Sequence, residues 1–347
     1  MKNTSSIPNA ESILRTGILN QWYLVCRSEE VGARPLGLTR LSQRIVLWRD
    51  AAGQAHALED FCPHRGAALS KGVAVDGGIA CKYHGLVVAP NGTVAEVPAV
   101  ESCAYHGEKR NRTYALRESN GAIFLYFSDG TSDEVPEFWL PEPLTSEEWS
   151  GFLYMTEWNC HYSGPLDNRV DPIHGSYLHN DTFTLGFGKK SSVIMLDETP
   201  DGFEIYRDNQ AGVNIDHTYV TYRPGNNIWI ETEIPYPKSV GGNFFRILGY
   251  PTPIDENRTL IWFFRYQRSS GWRRDLWRFF YVNRLDARHA YVAAQDEEMI
   301  ETIDHNARHR EGLFQTDIGI VRLRRMLHQI AKQQAQALQA AAQSVDG

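Results

Sequence analysis

The sequence predicts an α+β chain in two parts: an all-β N-terminal domain, then a domain of antiparallel strands flanked by helices. Three observations carry this. From Trp22 to Phe127, short apolar runs alternate with turn residues. A second series of strand-like runs recurs between Phe203 and Gln267. Beyond Trp272 the pattern turns helical, and Ile320, Leu323, Leu327 and Ile330 return at three- and four-residue steps.

Taken in order, residues 1–19 read as a loose polar leader that lacks the apolar core of a secretory signal. In the first domain, 20–130, Trp22–Val25, Ile45–Trp48, Gly85–Val88 and Ala122–Phe127 are strand-like. Turn signals at Asp50–Gly53, Asp76–Gly78 and Asn91–Gly92 separate them. An acidic, proline-containing connector (SDGTSDEVPEFWLPEP) leads into the second domain, 131–330. There, residues 165–180 read as helical or loop-helical. Strands follow at Phe203–Arg207, Thr218–Tyr222, Ile228–Ile234, Phe244–Tyr250 and Leu260–Gln267, then a helical stretch from Trp272 to His309. The Gln/Ala-rich tail, 331–347, is expected to be helical and to fray.

Composition narrows the function. Of 347 residues, 42% are apolar and 22% charged, which excludes disordered and collagen-like classes. Thirty-five basic residues face 42 acidic ones, a net charge of −7, so no basic face for nucleic acid is expected. No apolar run is long enough to span a bilayer. A cytoplasmic location is the default expectation. There, cysteines paired with histidines suggest metal binding more than disulfides. The five are Cys26, Cys62, Cys81, Cys103 and Cys160.

The strongest signal is FCPHRGAALSKGVAVDGGIACKYHGLVV. Cys62 and His64 form C-x-H, and Cys81 and His84 form C-x2-H. Two thiolates can hold one iron of a [2Fe–2S] unit and two imidazoles the other. Neutral imidazole donates less charge than thiolate, so such a cluster sits at a higher potential than an all-cysteine one. A zinc site is the alternative, but its usual form takes both cysteines from one loop and both histidines from another. Here each loop supplies one of each. His56 lies outside the spacing and reads as a surface or strand histidine.

A second constellation, GPLDNRVDPIHGSYLH, places Asp171, His174 and His179 as D-x2-H-x4-H. Two imidazoles and one carboxylate make a facial triad that leaves positions open on ferrous iron for dioxygen.

These two segments, in this order, resemble those of the Rieske non-heme iron oxygenases, and the resemblance runs from about residue 20 to 325. The CPHRG and CKYHG loops and Leu69, Ser70 and Gly72 of the LSKG run carry it. It implies an N-terminal Rieske domain and a helix-grip catalytic domain. Cys62, His64, Cys81 and His84 would hold the cluster, and His174 and His179 a mononuclear Fe(II). By the AAQDEEMIE context, Asp296 would be the third iron ligand; Glu297, Glu298 and Asp304 are neighbouring carboxylates. Asp171 would bridge His174 to a neighbouring subunit's copy of His84, as an electron path. Asn168 matches an asparagine beside the iron or caps a helix. Tyr83 bonds a cluster sulfur or packs on the cluster loop.

The implied activity is that of a terminal oxygenase. O2 is co-substrate, and electrons come from a separate NAD(P)H-dependent reductase or ferredoxin. The chain itself has no glycine-rich nucleotide fingerprint. Its length resembles the small group of vanillate demethylases and dicamba, phthalate and carbazole oxygenases, which implies a head-to-tail homotrimer. The substrate expected is a small aromatic molecule, hydroxylated or dealkylated. Phe183, Phe187, Trp229, Tyr236, Phe244, Phe245, Trp262 and Phe263 could line its site or fill a sheet core. An inward arginine among Arg207, Arg223, Arg246 and Arg265 could clamp a substrate carboxylate. A pure Rieske electron carrier with a non-catalytic second domain is the competing function.

Overall fold

The computed structural model describes residues 8–182, 185, 191–208, 215, 217–235 and 244–345. Contacts gather the chain into two units. One runs Leu19–Phe138; the other joins the residues up to Ile18 to those from Trp139 onward.

The first unit is all-β. Strands β1 (Gln21–Arg27), β2 (Leu36–Arg40), β3 (Gln43–Arg49), β4 (Ala55–Glu59) and β5 (Val73–Val75) are followed by β6 (Gly78–Ala80), β7 (Val87–Val88) and β8 (Val94–Glu96). The last two are β9 (Leu116–Ser119) and β10 (Ala122–Phe127). They pair as three sheets, ordered β1-β10-β9, β2-β3-β4 and β5-β6-β7-β8. A core of Val46, Trp48, Leu58, Leu69, Ile79 and Val88 includes Cys62 and Cys81. The two cysteine loops therefore grow directly out of packed strands, one after β4 and one between β6 and β7. Gly85, expected within a strand, instead turns the second loop at φ 77°.

The second unit is built on a seven-stranded antiparallel sheet. Its strands are β11 (Trp149–Trp158), β12 (Ile194–Thr199), β13 (Gly202–Arg207), β14 (His217–Thr221), β15 (Trp229–Pro235), β16 (Phe244–Pro253) and β17 (Thr259–Arg268). Their order is β11-β17-β16-β15-β14-β13-β12. Five of these match the strands expected from sequence. β11 and β12 were not expected, because WSGFLYMTEW and IMLDET lack a clear apolar alternation. Helices are α1 (Ala10–Thr16), α2 (Glu142–Thr145), α3 (Ser163–Arg169), α4 (His174–Leu178), α5 (Gly271–Phe280), α6 (Asp286–Ile300) and α7 (Ile318–Val345). Strand alternation turns Ile230, Phe245, Ile247 and Phe263 to the helices, while Trp229, Tyr250 and Phe264 stack on the opposite face.

Three boundaries differ from the sequence reading. The leader contains α1, capped by Asn9 through Ser12 N–H at 2.8 Å, with Ile13 in the same core as α7. The connector stays with the first unit as far as Phe138, whose ring meets Trp22 at 5.2 Å and Phe124 at 5.0 Å. The tail does not fray after Lys332: α7 continues to Val345, with Ala331 and Ala335 in the core. Apolar contacts at distant positions stabilise what local composition leaves open.

Candidate metal centres

The two cysteine loops have the same backbone design. Cys62 N–H donates to Ala67 O at 2.7 Å, and Gly66 N–H donates back to Cys62 O at 2.8 Å. In the second loop the equivalent bonds run from Cys81 to Leu86 and from Gly85 to Cys81, at 2.8 and 2.9 Å. Gly66 and Gly85 have φ of 76° and 77°, a left-handed turn that a side chain would strain. An Asp60 carboxylate anchors the first loop by accepting from Ser70 N–H at 2.7 Å and from its hydroxyl at 2.6 Å.

The result is a polarised cage. Cys62 and Cys81 are buried while His64 and His84 are exposed, and the histidine Nδ1 atoms converge to 3.0 Å. Burial, and then the neighbouring Cys81 thiol, push Cys62 up to about 11, against the pull of the His64 and Arg65 backbone N–H groups. A thiolate there needs a cation beside it, as a cluster iron would supply. Tyr83 stacks on the His84 ring at 4.0 Å and is exposed. His56 lies on β4, paired with Asp50 at 2.8 Å, away from the cage.

The second constellation is assembled from three elements. α4 begins at His174 and stops at His179, whose φ of −101° and ψ of 29° leave the helix and bring its ring back toward the first. Their ring centroids lie 5.3 Å apart. On α6, Ala293, Asp296 and Ile300 form one inward face, while Glu298 is exposed and Glu297 half-buried. Asp304 caps the next turn through Asn306 N–H. Helix phase therefore selects Asp296 among the candidate carboxylates. Its Oδ1 lies 3.2 Å from His179 Nε2 and 3.6 Å from His174 Nε2. One donor atom from each residue falls within 4.8 Å of the others. Two imidazole nitrogens and one carboxylate oxygen at this spacing fit a ferrous ion.

Neighbouring groups orient the three. His179 Nδ1 meets Gln295 Oε1 at 2.9 Å, which directs Nε2 to the cage. Gln295 Nε2 donates onward to Asp181 at 3.2 Å, which also accepts from Tyr291 OH at 2.8 Å. His174 Nδ1 bonds the Asp171 carbonyl, and the Asp171 carboxylate accepts from Ile173 N–H at 2.8 Å. Asn168 Nδ2 donates to Asp296 Oδ1 at 3.2 Å, so it is beside the cage rather than a helix cap. Burial opposes the charge of Asp296, but the His179 hydrogen bond and both imidazoles hold its carboxyl below the usual range. Burial also opposes charge on His179, and Asp296 overrides it and raises that ring. A divalent cation would replace their shared proton.

Gln295, Asp181 and Arg169 were missed in the sequence. Gln295 adjoins Asp296, the one available signal. The four flagged arginines all have partners. Arg207 donates to Pro172 O and to Ser176 Oγ, clamping the turn that carries His174. Arg246 pairs with Glu231 and Glu233, Arg223 with Asp201, and Arg265 with Tyr281 OH and Asp286. Of the flagged aromatics, Phe245 and Phe263 face the helices; Trp229 and Trp262 face away. Phe183, Phe187, Tyr236 and the Phe244 side chain lie outside the described residues.

An all-β domain with a paired Cys/His cage, followed by a helix-on-sheet domain with a two-histidine, one-carboxylate cage, defines a class of protein with two iron centres. Residues 21–115 match the Rieske [2Fe-2S] domain and residues 158–333 the vanillate O-demethylase oxygenase C-terminal domain. The chain belongs to the vanillate O-demethylase oxygenase family, with a Rieske domain that implies a [2Fe–2S] cluster. It is 33% identical over 183 residues to the vanillate O-demethylase oxygenase subunit of Pseudomonas sp. (strain HR199 / DSM 7063), covering 52% of this chain and 48% of that one. The chain thus spans about half the length of the curated relatives it matches. Dicamba monooxygenase bound to dicamba has the same fold, with a TM-score of 0.70 at 19% identity over 92% of this chain and 99% of the other. The oxygenase in a ferredoxin complex of carbazole 1,9a-dioxygenase aligns with a TM-score of 0.71, at 19% identity over 92% and 91% of the two chains. Among the described residues, no helix is long and apolar enough to cross a membrane.

Proposed function

We propose that this chain is the terminal oxygenase of a multicomponent Rieske system, acting on a small aromatic substrate with O2. The observation that carries it is the His174, His179 and Asp296 cage, which a pure electron carrier would not need. Bound ferrous iron would supply oxygen activation at positions that the three ligands leave open. The protein holds the ligands in register: Gln295 orients His179, the Asp171 carbonyl orients His174, and Asn168 steadies Asp296. Cys62, Cys81, His64 and His84 would hold the cluster, its histidine side exposed toward a partner.

The relative's name, vanillate, is that of an aromatic carboxylate, and the carbazole system pairs its oxygenase with a ferredoxin. Both support an aromatic substrate and a separate ferredoxin or reductase as electron donor. We place the working assembly as a homotrimer in which Asp171 links His174 to His84 of a neighbouring copy. Asp171 keeps a half-buried carboxylate 3.9 Å from His174 Nδ1, in support of that role.

The test is iron stoichiometry with EPR. About three irons per chain, one of them labile to chelation, are expected with a Rieske signal. His174→Ala should keep the signal, drop to about two irons and lose substrate-dependent O2 uptake. Two irons in the unaltered protein after ferrous reconstitution would point to the electron carrier instead.

A further inference from the structure

Arginine stays protonated under all conditions a protein tolerates, so a buried guanidinium needs a partner. Every arginine flagged in the sequence has one. Arg169, at the C-terminal end of α3 and next to Asn168, does not. Its Nη2 donates to Ile247 O at 2.7 Å and to Ile230 O at 3.4 Å, which fixes the group flat on the helix-facing side of the sheet. Its Nε is buried with no hydrogen-bond partner. Its Nη1 has none among the described residues, and no carboxylate among them pairs with it. Asp296 contributes only a longer-range attraction and is committed to His179 and Asn168.

The surroundings are made for this side chain. A Cβ on Gly249 would come within 2.8 Å of Arg169 Nε, so the glycine opens the notch in which the guanidinium lies. Phe263 lies 5.7 Å from the guanidinium, and the Tyr154 ring stacks on Phe263 at 6.3 Å. These form an aromatic wall beside the charge. A second orphan lies on the same face: Thr232 Oγ1 is buried without a partner. Thr232 pairs with Ile247 and Ile230 with Gly249, so the hydroxyl is one row along, about 7 Å by strand rise. An uncompensated buried charge and an unfilled hydroxyl both carry a desolvation cost that a ligand can relieve.

We propose that Arg169 receives the carboxylate of an aromatic substrate, whose ring lies along Phe263 and Tyr154 beside the His174, His179 and Asp296 cage. This rests on the oxygenase function above and gives it a substrate class: aromatic carboxylates in preference to their neutral analogues. A guanidinium held by sheet carbonyls is pre-oriented, so it can pair with an oxyanion at little cost in side-chain freedom.

The test is anaerobic calorimetry on the iron-loaded protein, titrated with benzoate, 4-methoxybenzoate, 3,4-dimethoxybenzoate and the methyl ester of each. Acids should bind at least about tenfold more tightly than esters. Arg169→Leu should weaken acid binding by about 100-fold and leave the esters within a few-fold, with iron content unchanged. Arg169→Lys should recover part of the loss. If Arg169→Leu does not fold, Gly249→Ala, which presses on Nε while keeping the charge, should weaken acids selectively. Equal or tighter binding of the esters, no binding of any acid, or an unchanged acid preference in a folded Arg169→Leu overturns the proposal. Iron content is read on the same samples. Loss of the third iron sinks the oxygenase function, while ester preference with three irons sinks only the substrate class.

Discussion

At the scale of residues, the mononuclear cage depends on hydrogen bonds that hold each ligand by its far side. His179 is the clearest case, because Gln295 is the partner of its Nδ1 and Nε2 is the atom facing Asp296. Gln295→Leu removes that acceptor while keeping volume. It should weaken ferrous binding by about 10- to 100-fold with little change in the cluster spectrum. Chelator competition on purified protein measures this, and wild-type affinity in the variant would show that the orientation comes from packing alone. Asp296 was separable from Glu297, Glu298 and Asp304 only by helix phase, which a linear sequence does not state. Gln295 carried no signal except adjacency.

Elements place those residues. The two cluster loops share a backbone design in which a left-handed glycine closes each turn. Gly85→Ala forces φ near 77° on a residue with a Cβ and puts that carbon 2.9 Å from Pro98 Cγ. The strain should cost about 1–2 kcal/mol and displace His84, so cluster content per chain should fall while far-ultraviolet dichroism is retained. A full cluster in the variant would mean that the loop adapts. In the other unit, α3 and α4 flank a turn held by Arg207 through Pro172 O and Ser176 Oγ. Loop residues Cys62, His64, Cys81 and His84 were legible because metal chemistry restricts both residue type and spacing. Strands β11 and β12 were not, because their pattern yields to pairing with β17 and β13.

For the whole molecule, two properties follow. The first is electron delivery. With Asp171 as the link between centres, Asp171→Asn should retain both metals and slow reduction of the mononuclear site about tenfold or more in a single-turnover experiment. An unchanged rate would remove the link. The second is acid stability. In the unit containing α1 and α3, His161 is buried, bonded to Ser163 Oγ at 2.6 Å and stacked on His305 at 3.6 Å. Burial first, then His305 and Arg308, press His161 down to about 3. The unfolded chain binds a proton there near its ordinary value, about 6.5, and the folded chain does not. Stability is therefore complete above that value and falls as pH drops from about 6.5 toward 3, by at most about 1.4 kcal/mol per pH unit. Urea unfolding at pH 7 and pH 5 should show a shallower acid loss in His161→Gln than in the unaltered chain. Equal losses would assign the acid limb to other groups.

The sequence by itself determined the α+β class, the two metal-binding segments, six of the seven proposed ligands from motif spacing and the seventh, Asp296, from a resemblance. Those features are local: a thiolate or imidazole declares its chemistry by type, and ligands on one loop declare it by spacing. Only the tertiary structure decided that the leader and tail form helices around one core, that Gln295 stands behind His179, and that Arg169 is the arginine left unpaired. Each of those depends on what a distant segment places beside the residue. Arg169 and Arg265 are indistinguishable as letters; one meets Tyr281 and Asp286, and the other meets two carbonyls and a glycine notch.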